Sequence, residues 1–272
     1  MPNFDEYKKL GEPNKHEKSV IWETAIGLQE VDGLKTSEYL IATAKANIED
    51  DITFEEVKSR INNYYKASKE RKADEESTEE ADKVSSRIAE ILSEKTFSFN
   101  ISEYITIHKR LFEEFDFGGK IRDYDISKDE WVLDGESVFY ASWQNIKATL
   151  EYDFNCERDF SYRNLSKIEK SAHIADFVSR IWQVHPFGEG NTRAMAVFAI
   201  KYLRTLGFNI ENNMFAEHSW YFRNALVRAN FNNHTKDIYK NTEFLENFFE
   251  NLLLNANHPL KNRAMHVSQD KD

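Results

Sequence analysis

The chemically richest stretch of the sequence is Val184–Arg193, which compresses a histidine, a carboxylate, an amide, a guanidinium and two glycines between two apolar segments. Backbone N–H groups at the start of a helix are unpaired and carry partial positive charge, so a glycine-rich bend there forms a cradle for phosphate. Gly188 and Gly190 allow close approach of the backbone and positive φ angles. These residue types predict a site for phosphoryl or nucleotidyl transfer.

Three side chains of this stretch have distinct expected roles. A histidine titrates near neutrality, so His185 is the candidate base that takes a proton from an incoming hydroxyl. Glu189 alone would repel phosphate, and its carboxylate is therefore expected to hold a Mg²⁺ ion that bridges phosphate oxygens. Arg193 is expected to bind a second phosphate through a forked, charge-assisted pair of hydrogen bonds.

Two amphipathic segments must position the stretch. Apolar residues recur at helical spacing from Leu165 to Trp182 before it, and from Met195 to Leu206 after it. The motif is therefore predicted to be a loop between two helices, with Asn191 near the start of the second.

The composition favours a folded, helical protein. Of 272 residues, 40% are hydrophobic and 14% aromatic, while 9 glycines and 4 prolines are too few for many turns, which favours long helices. A net charge of −11 gives no basic surface for nucleic acid or an anionic membrane. One cysteine, and the lack of any apolar run of signal-peptide or membrane-spanning length, predict a cytoplasmic location.

The stretch resembles the signature of the Fic family, H-P-F-x-[D/E]-G-N-[G/K]-R-x-x-R, whose members mostly transfer AMP from ATP to a hydroxyl side chain of a target protein. The resemblance implies ATP as co-substrate, Mg²⁺ as cofactor and a hydroxyl-bearing target protein as partner. It also implies His185 as the base and Glu189 as the metal ligand. The implied nucleotide-binding residues are Phe187 as the anchor of the loop, Gly188, Gly190, Asn191, Thr192 and Arg193.

Two positions depart from the family pattern. Thr192 stands where the family usually has glycine or lysine, so a branched side chain is expected beside the phosphates. Ala196 stands where the family has a second arginine that contacts the γ-phosphate, and losing such a charge-assisted bond costs about 1.5–3 kcal/mol.

Taken along the chain, the pattern predicts an all-α protein with the Fic helical-bundle fold and one β-hairpin flap beside the active-site loop. The predicted parts are a flexible arm at 1–18, a small antitoxin-like helical regulatory module at 19–66, a charged linker at 67–83, a Fic domain at 84–255 and a polar tail at 256–272. In the module, the family's obstructing-helix pattern falls on Leu28, Asp32 and Gly33, where its serine and glutamate are both altered. The module is therefore expected to act by packing or steric cover, or to be a plain helical extension.

The flap, residues 124–140, is predicted from alternating apolar residues around the turn dipeptide Asp134–Gly135. An exposed hairpin edge can add the backbone of another protein as an extra strand. The resemblance gives this role of target docking to Ser127, Lys128, Asp129, Glu130 and Trp131. It also makes Tyr221 and Asn224 candidates for contacts with the adenine base, although an aromatic stripe is more often core, and His108 is expected to be a core histidine.

Two other classes of function stay open. Thr192 and Ala196 are compatible with a degenerate protein that binds a nucleotide or a partner without transfer, or with transfer from another nucleotide. An interaction protein of a toxin–antitoxin type would depend on residues 19–66 and not on His185. The sequence does not identify the target or the oligomeric state.

Overall fold

The structure is a computed structural model that describes residues 4–9, 12–67, 73–210 and 213–268. Within these ranges the chain forms α-helices and short 3-10 helices, and no β-strand is present. The predicted helical fold class is confirmed. The α-helices, in chain order, are α1 (Asp5–Lys9), α2 (Pro13–Gly27), α3 (Glu38–Ile48), α4 (Phe54–Ala67), α5 (Ala73–Ser93), α6 (Ile101–Leu111), α7 (Ile146–Asp159), α8 (Lys167–Val184), α9 (Asn191–Thr205), α10 (Met214–Glu217), α11 (Ser219–Ala229) and α12 (Glu243–Leu254).

The chain divides into two compact units, Met1–Phe97 with Glu211–Ser219, and Ser98–Ile210 with Trp220–Asp272. In the first unit, α2 packs against α3, α5 and α10, and α4 packs against α3 and α5. Gly27 allows the close approach of α2 and α10, because an added Cβ would lie 2.3 Å from the carbonyl oxygen of Ala216. Fully buried Trp22, Val57 and Ile88 belong to the core of this unit.

Helices of the first unit begin where the sequence offers caps. The hydroxyl of Ser37 accepts a hydrogen bond from the Leu40 N–H at the start of α3. Before α4, the Glu56 N–H donates to the Thr53 hydroxyl at 3.2 Å, and the Thr53 N–H donates to the Glu56 carboxylate at 2.7 Å. These two reciprocal hydrogen bonds form a capping box.

The structure differs from two predicted boundaries in this unit. The arm predicted at 1–18 contains α1 and the start of α2. Phe4 and Tyr7 are buried, and these two apolar side chains explain why a segment that is mostly polar is nevertheless packed. The linker predicted at 67–83 is helical from residue 73, and Asp82 is fully buried with hydrogen bonds from the Ser37 N–H and the Tyr65 hydroxyl. Residues 1–3, 10–11 and 68–72 lie outside the described ranges.

In the second unit, α8 packs against α7, α9 and α12, and α6 packs against α7 and α9. Helix α8 begins with a capping box between Ser166 and Glu169. Every residue of α9 from Asn191 to Leu203 is buried, so α9 is the central helix of the unit. The loop that joins α8 to α9 is thereby attached to rigid elements at both ends.

The predicted β-hairpin in the flap is wrong. Trp131–Leu133 forms a 3-10 turn, Asp134 and Gly135 follow with φ of 58° and 83°, and the flanking segments are extended without a strand ladder. The Glu130 N–H donates to the Glu136 carbonyl at 3.1 Å. The segment is held by the burial of individual side chains and not by strand pairing. The buried side chains are Glu130, Val132, Leu133 and Val138.

The tail predicted as polar and frayed from residue 256 is ordered over its described part. Asn262–Met265 forms a 3-10 helix, and Met265 and Val267 are buried. The ring of His266 lies 4.9 Å from that of Trp131 in an edge-on arrangement. Burial of these two apolar side chains, together with hydrogen bonds from Asn224 to Asn262 and between Asn251 and His258, attaches this segment to the second unit. Residues 269–272 lie outside the described ranges.

No helix in the described part of the chain is long and apolar enough to span a membrane.

Candidate active site

The predicted loop between two helices is present and is closed by side-chain hydrogen bonds. Helix α8 ends at Val184, His185 adopts the left-handed conformation with φ 49°, and Gly190 does so with φ 74° just before α9. The Asn191 amide accepts a hydrogen bond from the Phe187 N–H at 3.0 Å and donates one to the Phe187 carbonyl at 2.8 Å. Asn191 is buried, so its side chain shapes the loop. The expected contact of this side chain with a phosphate is therefore not available.

A histidine from α6 anchors the same loop. His108 is fully buried, accepts a hydrogen bond from the Gly119 N–H at Nδ1, and lies 2.9 Å from the Glu189 carbonyl at Nε2. Since Nδ1 accepts, Nε2 carries the proton and donates. The ring also stacks on Phe187 at 3.6 Å, and burial lowers the pKa of His108 to about 4. His108 is therefore a core histidine, as expected, and it also positions the loop.

Arg122 fixes the flap against the loop. Its fully buried side chain donates to the carbonyls of His185 (2.8 Å), Tyr124 (2.6 Å), Ala141 and Val184. Its backbone N–H donates to the Pro186 carbonyl at 2.9 Å. One guanidinium thus satisfies carbonyl groups from both segments, which helix and strand patterns in the sequence do not reveal.

The imidazole of His185 is oriented and only 3% exposed. Its Nδ1 lies 3.3 Å from the Trp182 carbonyl, which can only accept, so Nδ1 carries the proton and Nε2 holds the lone pair. No described residue forms a hydrogen bond with Nε2. The Tyr140 ring lies 4.2 Å away, and burial, followed by the charge of Lys128, holds the pKa of His185 well below its usual value. The ring is therefore neutral at pH 7.

The carboxylate of Glu189 is exposed at the mouth of the loop. The Lys128 ammonium lies 2.9 Å from Oε2, and Oε1 has no partner among the described residues. No group of three or more metal-ligating side chains exists in the described ranges. The donor set therefore fits a Mg²⁺ ion that brings most of its oxygens from phosphate and water, and does not fit an ion held by protein alone.

The backbone N–H groups of Gly188, Glu189 and Gly190 have no hydrogen-bond partner within the described residues. An added Cβ at Gly188 would lie 2.8 Å from the hydroxyl oxygen of Tyr124, an exposed side chain that can move aside. The expected intrusion of Thr192 is wrong. Its hydroxyl accepts a hydrogen bond from the Trp182 indole N–H at 2.9 Å, because the first turn of α9 faces the core.

Arg193 does not point into open solvent as a phosphate ligand would. It is only 3% exposed, and its guanidinium lies 4.8 Å above the Phe112 ring. Ala196 is fully buried in α9. The two positions where the family pattern has arginines thus offer no exposed cation, a consequence of the complete burial of α9.

The other predicted site residues lie as follows. In the flap, Ser127, Asp129 and Trp131 are exposed and Lys128 is half-buried, but Glu130 is fully buried in an ion pair with Arg223 at 2.6 Å and cannot contact a target. Tyr221 and Asn224 are buried, with hydrogen bonds to the Phe244 carbonyl and to Asn262 that belong to the core. The structure does not present either as a base contact.

The predicted regulatory positions lie in the first unit. Leu28 opens a 3-10 helix that ends at Asp32, and Gly33 closes it with φ 70°. Leu28 is fully buried, while Asp32 and Gly33 are exposed.

Comparison with known proteins finds a family model that matches the part of the chain that contains this site. Residues 98–203 match the model of the Fic/DOC family. A structure comparison finds the BepC protein of Bartonella tribocorum, a VirB-translocated Bartonella effector protein with bound AMPPNP, at 22% identity and a TM-score of 0.43. That match covers 60% of this chain and 76% of BepC. No curated protein matches the chain.

Proposed function

We propose that this chain is a protein nucleotidyltransferase that moves AMP from ATP to a hydroxyl side chain of a target protein, on the basis of the match of residues 98–203 to the Fic/DOC family model. The observation that carries the proposal is the geometry of the loop. One bend between α8 and α9 contains both His185, whose Nε2 has no hydrogen-bond partner among the described residues, and the three unpaired backbone N–H groups that precede α9.

In this proposal His185 is the base. Its Nε2 accepts the proton as the target oxygen forms a bond to the α-phosphorus and the bond to pyrophosphate breaks. The low pKa of His185 keeps the ring neutral, so the lone pair is available at every pH near neutrality. The Trp182 carbonyl and the Tyr140 ring fix the orientation of the imidazole.

The phosphates would lie on the N–H groups of Gly188, Glu189 and Gly190, where the helix dipole of α9 favours negative charge. Glu189 would hold Mg²⁺, which when bound neutralises the phosphate charge that develops during transfer. Asn191 and Phe187 act indirectly, by keeping the bend in shape.

The target would dock along residues 127–131. The N–H groups of Lys128 and Glu130 donate to groups within the flap, the Ser137 hydroxyl and the Glu136 carbonyl. The alternate residues Ser127 and Asp129 are exposed to solvent. An extended edge of this kind can bind the backbone of a partner even though it is not part of a hairpin.

The test incubates the protein with each α-labelled nucleoside triphosphate, Mg²⁺ and a cell extract, and measures covalent label on protein. We expect label from ATP, and a loss of about 10²–10⁴-fold in His185→Ala. His234→Ala, which removes an exposed histidine, is the control. Equal labelling by the wild type and His185→Ala would overturn the role of His185.

A second candidate is nucleotide binding without transfer. The burial of Arg193 and the alanine at position 196 favour it, since neither can grip the outer phosphates as the family's arginines do. Calorimetric binding of ATP by the wild-type protein, with no label transferred under any condition of the test, would support this candidate over the first.

A further inference from the structure

The phosphate site of this protein lacks the cation that its own motif positions would be expected to supply. Arg193 is buried against the Phe112 ring, and Ala196 has no charge and no exposure. A triphosphate carries several negative charges, and a site that binds it needs positive groups beyond the backbone N–H donors. Apart from a Mg²⁺ ion held by Glu189, that charge would have to come from another element of the fold.

Lys128 brings such a charge to the loop from the flap. Its ammonium lies 2.9 Å from the carboxylate of Glu189, and the backbone N–H of that same glutamate is one of the three unpaired groups. The Lys128 backbone is fixed by the hydrogen bond from its N–H to the Ser137 hydroxyl at 3.0 Å. Its charge is also close enough to His185 to contribute to the low pKa of that ring, after the larger effect of burial.

The pair that Lys128 forms with Glu189 is one that it can give up. The lysine side chain is 25% exposed and the glutamate side chain 59% exposed, and ion pairs this open to water contribute only about 0–1 kcal/mol. A phosphate group offers more charge and several acceptor oxygens to the same ammonium. Exchange of Glu189 for phosphate is therefore favourable when a nucleotide is present.

We propose that Lys128 is a nucleotide-binding residue that contacts the β- or γ-phosphate and takes over the part of the arginine missing at position 196. Without nucleotide, the lysine is held in place by Glu189. This inference rests on the proposed nucleotide site, and it adds a ligand that lies outside the signature loop.

The test measures affinity by calorimetry on the full chain, with ATP, ADP and AMP in the presence of Mg²⁺. We expect Lys128→Ala to weaken ATP binding about tenfold, the lower end of what one charge-assisted contact contributes, and to leave AMP binding unchanged. Lys128→Arg should retain most of the ATP affinity. Lys236→Ala is the matched control, because Lys236 forms a similar ion pair with Glu136 of the same flap and should not affect ATP.

The outcomes separate this inference from the proposed function. If the wild type binds no ATP, both fail. If the wild type binds ATP and Lys128→Ala binds it equally well, only the role of Lys128 fails. A uniform loss for ATP and AMP would mean that the variant disturbs the flap, and tighter ATP binding would mean that Lys128 competes for Glu189; either result overturns the inference.

Discussion

Acid should destabilise the second unit through His108, whose ring connects α6, Gly119 and the active-site loop. Burial lowers its pKa from 6.5 to about 4, so between these values the unfolded chain binds a proton that the folded chain refuses. Stability from this residue is therefore complete above pH 6.5 and is lost as pH falls toward 4. The difference between these two pKa values corresponds to about 3 kcal/mol in total, of which about 2 kcal/mol is lost by pH 5.

The measurement is urea unfolding at pH 7.5 and 5.0, followed by tryptophan fluorescence, since four of the five tryptophans lie between residues 98 and 272. His108→Gln should be less stable than the wild type at pH 7.5 but should lose about 2 kcal/mol less on going to pH 5. His234→Gln, at an exposed position, controls for the removal of a histidine as such. If wild type and His108→Gln lose the same stability between the two pH values, the assignment of the acid sensitivity to His108 is refuted.

Two further predictions concern the same site. Gly190→Ala should lower the free energy of unfolding in urea by about 1–3 kcal/mol more than Gly207→Ala. Both glycines have positive φ, but of the two only Gly190 has a group in the path of an added Cβ, the Phe112 ring at 2.2 Å. Equal losses would mean that backbone strain alone accounts for both. Glu130→Ala and Arg223→Ala should each lower the free energy of unfolding by about 3–5 kcal/mol, because each leaves the charge of the other residue without its partner. The double variant should lose less than the sum of the two single losses. Additive costs would mean that the two charges do not depend on each other.

Residues 98–203, which include the signature, match the Fic/DOC family model, and the predicted helical class is confirmed. The loop between α8 and α9 followed from residue types alone, because apolar periodicity on both sides and glycines in between are local signals. The same local rules failed for Asp134–Gly135. The turn forms, but whether its flanks pair as strands depends on where Glu130 and Val138 find burial.

Several functional residues were missed because their partners are distant in sequence. Arg122 lies in a glycine-lysine-x-arginine stretch that precedes the flap. Nothing in that stretch predicts that the guanidinium of Arg122 donates hydrogen bonds to four carbonyl groups. His108 was expected in the core, and only the fold reveals the hydrogen bond from its ring to the Glu189 carbonyl. Lys128 was assigned to target docking, while its ammonium is paired with the motif carboxylate.

The sequence by itself determined the helical class and the bend that carries His185, since each depends on residues a few positions apart. Only the tertiary structure decided which charges face the proposed nucleotide site. The Arg193 side chain is buried because α9 is buried from Asn191 to Leu203. The Lys128 ammonium contacts the loop because the flap packs beside it. Packing between elements far apart in the chain decides the exposure of a side chain, and no local pattern encodes that packing.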